Sequence, residues 1–330
     1  MSTQEWNPGT LLELSGYYWK TCTLHAGIKL DLFTVIGDRQ LTSKEIAATL
    51  GGDERGITML LNAFTAMNLL LKTEDKFSNT APAKTFLSKD SQEHIGYMIM
   101  HHHHLVDSWS QLDQAVHTGN PVRSRASQSE EWRESFLMGM FNNAMKLAPQ
   151  VAAAIDLSGR RHLIDLGGGP GTYAIHFCKK NPKLKASVHD LPTTKPFAKK
   201  TIEKFDLADR IDFKETDYLE ENIIGTYDVA WLSHILHGEG PEDCQMIIQK
   251  AVSALEPGGL IMVHDFILNN TMDGPLFPAL FSLNMLLGTP SGQSYSEEQI
   301  KEMFTSAGVK RVERIPIQTP NDSGIIAGEI

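Results

Sequence analysis

The sequence predicts an α/β protein: a seven-stranded, Rossmann-like, mostly parallel sheet closed by an antiparallel hairpin, preceded by a mostly helical N-terminal region. Three observations carry this. From about Asp156 onward, short apolar runs at 162–166, 185–189, 211–216, 227–233 and 259–265 alternate with helical stretches at 172–180, 193–204 and 241–255. That alternation is the pattern of right-handed crossovers between parallel strands. Two more runs, 309–316 and 323–329, are joined by Pro320-Asn-Asp-Ser and should pair antiparallel. Third, Leu163-Ile-Asp-Leu-Gly-Gly-Gly-Pro-Gly-Thr172 is a strand running into glycines and then a helix start. Glycine lets the backbone approach a ligand closely, and the free N–H groups of the helix start favour electron-rich groups.

Taken in order, residues 10–36 carry Leu11, Leu14, Tyr18, Leu24, Ile28, Leu32 and Phe33 at helical spacing. They read as two helices whose apolar faces need a partner. Thr42-Ser-Lys-Glu45 is a capping box opening a helix that ends at Gly51-Gly52. A longer helix should run from Asp53 to about Leu70, followed by a short hairpin over Lys72–Thr80. Helix, turn, helix, hairpin is a winged-helix pattern, so DNA binding has to be weighed. Between residues 43 and 90, however, six Lys or Arg are offset by six Asp or Glu, and the whole chain carries a net charge of −10. A nucleic-acid reader needs a cationic surface. A structural, dimerising role fits better, and no nucleic-acid partner is expected.

Residues 91–155 read as helical and are rich in His, Met and Trp. His101-His102-His103-His104 invites a metal reading, but neighbours on a helix point about 100° apart, so only a pair such as His101 and His104 would share a face. Zinc would need further ligands from elsewhere. A pocket wall or a solvated face is the simpler reading, and no metal is expected. Phe136–Met145, with Phe141 and Met145, suits either core packing or a ligand wall. Three isolated cysteines without CxxC spacing fit a reducing cytosol. The N-terminal stretch lacks a basic region and an apolar core, so no secretory leader is expected. No apolar run reaches the roughly 18 residues of a membrane span. The expectation is a cytoplasmic protein with no membrane partner.

The glycine loop is not a dinucleotide fingerprint: Gly-x-Gly-x-x-Gly counted from Gly167 would need a glycine at Thr172. Its glycines at 167, 169 and 171, with Asp165 before them, resemble the S-adenosylmethionine loop of class I methyltransferases. The second strand ends at Asp190, 25 residues after Asp165, where a carboxylate can accept ribose hydroxyls. Asp217-Tyr218 closes the third strand, where the adenine is expected.

Ser233-His-Ile-Leu-His-Gly-Glu follows the fourth strand at its ligand-binding edge. Together with His-Asp-Leu-Pro192 and Leu255-Glu-Pro-Gly-Gly-Leu-Ile, it resembles the S-adenosylmethionine-dependent O-methyltransferase family of caffeate- and acetylserotonin-type enzymes. The likeness covers most of the chain. It implies a helical, winged-helix dimerisation domain over 1–90, a helical linker and substrate-pocket segment over 91–155, and a cofactor-binding catalytic domain over 156–330. A homodimer through the N-terminal domain follows.

By that resemblance Asp165, Gly167, Gly168, Gly169, Asp190, Leu191, Asp217, Tyr218 and Ser233 hold S-adenosylmethionine. His237 stands where the family's histidine takes a proton from the acceptor hydroxyl. The chemistry suits it, because a phenol is a poor nucleophile until deprotonated and imidazole titrates near neutrality. His234 is a second candidate, one turn earlier if the segment is helical. Asp265 stands for the family's orienting glutamate. Ser294 falls where a second acid is usual, and Gly238-Glu239 replaces Asp-Trp. The acceptor wall is expected from Phe141, Met145, His234, Phe281, Asn284 and Met285, which core packing would explain equally well. The implied reaction is O-methylation of a small molecule. S- or C-methylation, or a decarboxylase-, hydroxylase- or pericyclase-like activity on the same scaffold, is the alternative.

Overall fold

The computed structural model describes residues 5–123 and 130–330. The first four residues of the N-terminal stretch, and positions 124–129 within the stretch 91–155 expected to be helical, lie outside the described residues. The chain divides into two compact units, 1–106 with 129–140, and 107–128 with 141–330.

In the first unit, Asn7 caps α1 (Pro8–Gly16), its side chain accepting the N–H groups of Gly9 and Thr10. Next come α2 (Tyr18–Lys29) and α3 (Leu32–Ile36), so the two helices expected over 10–36 are three. Asp31 adopts φ 57° and breaks the second apolar run. The expected capping box forms between Thr42 and Glu45, linking β1 (Leu41–Thr42) to α4 (Ser43–Leu50), which ends on the left-handed Gly51.

Asp53 caps α5 (Glu54–Ala66), which stops short of Leu70 because Asn68 turns left-handed. Leu70 instead begins β2 (Leu70–Thr73), paired antiparallel with β3 (Lys76–Asn79), while β1 pairs β3 on its other side. Two helices follow, α6 (Ala81–Leu87) and α7 (Gly96–Trp109). Phe33 and Phe64 meet edge to face at 5.0 Å in the core, where Gly27 leaves room that a Cβ 2.4 Å from the Phe64 ring would remove.

His101 is buried against Trp132 (5.4 Å) and Phe136 (5.2 Å), and His103 lies 5.4 Å from the buried His25. Burial, then the neighbouring His103 and His102, lowers His25 to about 4, which makes it a neutral packing group. No buried residue anchors α1, and Leu11, Leu12, Leu14, Tyr17, Tyr18 and Trp19 are all exposed.

The second unit holds α8 (Leu112–Thr118), most of α9 (Glu130–Ala154), and then the alternating stretch. The alternation runs β4 (His162–Leu166), α10 (Thr172–Lys180), β5 (Lys185–Asp190), α11 (Lys195–Lys204), β6 (Ile211–Glu215), β7 (Tyr227–Ser233), α12 (Pro241–Ser253) and β8 (Leu255–Leu268). After it come α13 (Leu276–Gly288), the two-residue β9 (Tyr295–Ser296), α14 (Glu297–Ser306), β10 (Lys310–Ile315) and β11 (Ser323–Glu329).

The sheet order is β10-β11-β8-β7-β4-β5-β6, with β4 to β8 parallel and β10, β11 antiparallel. The seven strands and the closing hairpin are those expected, and β9 adds a short parallel pairing on β8. Alternate residues of β7 feed opposite faces: Val229 and Trp231 enter one core, Ala230 and Leu232 the other. Both faces are thus buried by helices. Because β4 has β5 on one side and β7 on the other, chain direction reverses there. The crevice at its carboxyl end is the switch point where such sheets bind ligands.

Candidate active site

The loop after β4 is built by what a side chain would displace. Gly167 (φ 66°), Gly169 (φ 54°) and Gly171 (φ 79°) occupy left-handed conformations that glycine adopts without strain. A Cβ on Gly168 would lie 2.5 Å from the Asp165 carboxyl carbon, and one on Gly167 would lie 2.5 Å from Ile235. The loop therefore seats directly on Asp165 below and on the β7 loop beside it.

Asp165 is fully buried; one oxygen accepts the Ala174 N–H at 3.2 Å, while Oδ1 has no partner among the described residues. Burial, reinforced by the charge of Asp190, raises its carboxyl to about 7. Asp190 accepts from Gly169 N (2.8 Å), Leu191 N (2.7 Å) and Thr194 Oγ1 (2.9 Å). Of roughly four acceptor positions on a carboxylate, about one is left to meet a ribose hydroxyl. Leu191 is exposed beside it. Asp217 Oδ1 accepts Leu219 N, and the Tyr218 hydroxyl lies 3.5 Å from Glu239. A loop with no room for a side chain at Gly167 or Gly168, a buried Asp165 oxygen without a partner among the described residues and an acid at the second strand end fit S-adenosylmethionine.

At the end of β7, Ser233 Oγ meets His264 Nδ1 at 3.0 Å, so this expected cofactor contact faces the sheet interior. His264 is fully buried between Ser233 and Ser323, and desolvation, then its neighbour His234, lowers it well below its ordinary value. Sequence reading passed over His264. Its only signal is the β8 alternation, which turns His264 to the face opposite Asp265.

His237 Nδ1 and Asp265 Oδ1 are 2.6 Å apart. Asp265 also accepts the His237 backbone N–H (3.3 Å), and its own Oδ1 caps Phe266 N (2.8 Å). Burial alone would raise the Asp265 carboxyl. The attraction of His237 and the hydrogen bonds from His234 and His237 overcome it and hold the group far below the usual carboxylate range. At that separation the two atoms are in direct hydrogen-bond contact.

His234 does not precede His237 by a helical turn. It stands at φ 56°, and only Leu236–Gly238 form a short 3-10 turn. The kink brings His234 Nδ1 to 3.5 Å from the same Asp265 oxygen. Ser294 is fully buried and its hydroxyl has no partner among the described residues, so the place of the second acid is neutral.

Of the expected acceptor wall, Phe281 packs edge-on against His237 at 4.8 Å. Phe266, not foreseen, lies 4.7 Å from Phe281 and 4.8 Å from Phe277. Asn284 is engaged by Arg123, whose guanidinium donates to its carbonyl (3.0 Å) and side-chain oxygen (3.1 Å). Met285 is buried, Phe141 and Met145 half-buried. Below α13, Thr289 Oγ1 accepts Gly292 N (2.9 Å), and a Cβ on Gly292 would lie 2.5 Å from the His237 carbonyl.

Residues 103–310 match the family described as O-methyltransferase domain, and residues 12–89 match the O-methyltransferase dimerisation domain. Among characterised relatives, a 3-hydroxy-5-methyl-1-naphthoate 3-O-methyltransferase of Streptomyces sahachiroi is 31% identical over 97% of this chain and 95% of its own. An O-methyltransferase family protein from Burkholderia thailandensis has a similar structure, with a TM-score of 0.88, 27% identity and 98% of each chain covered. PigF, solved with SAH, gives a TM-score of 0.91 at 25% identity over 98% of this chain and 100% of its own.

Proposed function

On the premise that this chain belongs to the O-methyltransferase family, and is an S-adenosylmethionine-dependent O-methyltransferase, we propose that it methylates a hydroxyl on a small, planar aromatic acceptor with His237 as general base. The observation that carries this is the 2.6 Å His237–Asp265 contact at the sheet edge, where Ile235 joins the same loop to Gly167. When bound, S-adenosylmethionine supplies an electrophilic methyl group. The glycine loop and Asp190 bind and orient that cofactor. His237 Nε2 takes the acceptor's proton while Asp265 fixes the opposite nitrogen as N–H and stabilises the imidazolium. Phe266, Phe277 and Phe281 pack together as an aromatic wall beside His237 that keeps water from it and favours a flat ring. The naphthoate of the Streptomyces relative has that shape.

The same reading makes the protein a homodimer. The dimerisation domain is present, and the exposed apolar row on α1 and α2 supports its use. Among the described residues, no helix is long and apolar enough to cross a membrane. The free cysteines support a reducing, cytoplasmic compartment.

The test is transfer from methyl-labelled S-adenosylmethionine to 3-hydroxy-5-methyl-1-naphthoate and to a small-molecule extract, wild type beside His237→Ala. Label entering a metabolite with wild type and almost none with the variant is expected. Equal labelling by both would remove His237 as base.

A further inference from the structure

One side chain at the catalytic end of the sheet has no part in the steps above. His234 sits in the left-handed region at φ 56°, a conformation that a β-carbon makes costly and that persists where the surroundings enforce it. Its backbone N–H donates to the His264 carbonyl at 2.8 Å. Its ring is clamped between His264 (4.5 Å, edge to face) and Phe266 (4.5 Å). The result of the kink is specific: Nδ1 lies 3.5 Å from Asp265 Oδ1, the oxygen that meets His237 Nδ1. Among the described residues Nδ1 makes no hydrogen bond to any other group, so the Asp265 carboxylate is the charge it faces.

We propose that His234 is a positioning residue for the general base, sharing Asp265 Oδ1 with His237 and so setting how tightly that carboxylate holds the proton His237 takes up. The inference rests on the reading of His237 as the base. A nitrogen turned toward an ionised carboxylate carries its proton on that side, since two facing lone pairs repel. Two N–H groups on one oxygen divide its charge, and each is held less firmly than it would be alone.

Nothing else described in this unit restores the lost pull. Ser294 is neutral where a second acid would stand. Burial pushes the Cys244 thiol up to about 12 and the Tyr295 phenol higher still, so both are uncharged. His264 is neutral between its two serines, and Glu239 and Asp243, the remaining acids nearby, act on the Cys244 thiol. His234 therefore loosens the hold of Asp265 on the proton that His237 takes up.

The experiment is an NMR titration of the full-length protein, ring-15N-labelled at histidine and loaded with S-adenosylhomocysteine. The His237 signals are assigned by their loss in His237→Gln. His234→Asn keeps a donor where Nδ1 stood and tolerates the left-handed backbone, whereas His234→Ala removes the donor. The protonation midpoint of His237 should rise by about half a unit to one unit in His234→Ala and stay at the wild-type value in His234→Asn. Where His234→Ala does not fold, His234→Gly relieves the backbone strain and repeats the comparison without the donor. An unchanged or lower midpoint without the donor overturns the proposal, as does an Asn variant that shifts as far as Ala. The titration does not depend on turnover. A His237→Ala enzyme that still methylates would sink the base reading and leave this result standing.

Discussion

The carboxylate of Asp190 reaches back across the glycine loop to the backbone N–H of Gly169, 2.8 Å away. The residue at the second strand end thus orders the loop after the first strand before any ribose arrives. Asp190→Ala should cost cofactor affinity twice, through the lost ribose acceptor and through a loosened loop. Removing charged hydrogen bonds of this kind costs about 1.5–3 kcal/mol each, so S-adenosylhomocysteine should bind at least tenfold more weakly by calorimetry. Binding at wild-type strength would show that Asp190 neither holds the cofactor nor orders the loop.

Gly168→Ala is expected to abolish binding by geometry alone. Its Cβ would lie 2.5 Å from the buried Asp165 carboxyl carbon, so that side chain or the loop must shift. Overpacking of this kind costs about 1–3 kcal/mol, so the melting temperature should fall as well. Retained affinity with an unchanged melting temperature would refute the steric account.

Asp265→Asn should lower kcat by about 10²–10⁴-fold, the usual worth of an intact general base, with cofactor affinity retained. The amide no longer fixes His237 Nδ1 as the donor, so the tautomer competent at Nε2 is lost. Stopped-flow single turnovers with a methylatable aromatic acceptor separate this from slow product release. A loss confined to KM would instead make Asp265 an acceptor contact.

Asp165 carries a pH signature of its own. Its ordinary value of 3.8 is raised to about 7 in the folded protein. Between those two values the native state binds a proton that the unfolded chain has released, so this group's contribution to stability declines as pH rises through the window. Asp165→Asn should therefore melt close to wild type at pH 4 and above it at pH 8, with both proteins free of cofactor. An equal offset at every pH would mean that the carboxyl does not titrate as described.

Much of this was legible in the sequence because its signals are local. The glycines, the capping box at Thr42–Glu45 and the period-two strands need only neighbours, so the seven strands, their closing hairpin and the winged-helix pattern could be read directly. Helix ends were less legible. α5 was expected to reach Leu70, but Asn68 could turn left-handed and Leu70 was claimed by pairing with Asn79, a partner set by tertiary contact. Within the site, His237 and Asp265 were visible as a pair through family likeness. The position of His234 was not: helical spacing suggested one turn, and a single positive φ carried it to the same carboxylate instead. Phe266 and Arg123 are contacts between distant segments and left no local trace.

The exposed row on α1 and α2 yields a test of assembly. Leu12→Glu combined with Trp19→Glu alters two outward-facing side chains and should leave the monomer fold intact. Light scattering after size exclusion should show half the wild-type mass. A wild-type protein already monomeric, or a double variant still dimeric, would move the interface elsewhere.

Gly292 lies so close to the His237 carbonyl that no side chain fits between them, while Thr289 Oγ1 accepts its backbone N–H. The lower end of the wall is therefore geared to the base. Drift in acceptor preference has one free end and one costly end. Substitutions toward Leu276 can reshape the wall without touching turnover, whereas any change at 289–292 that moves it also displaces the imidazole. Selection for new acceptors should accumulate at the first end, and paralogues that altered the second should be slow enzymes or have recruited a different base.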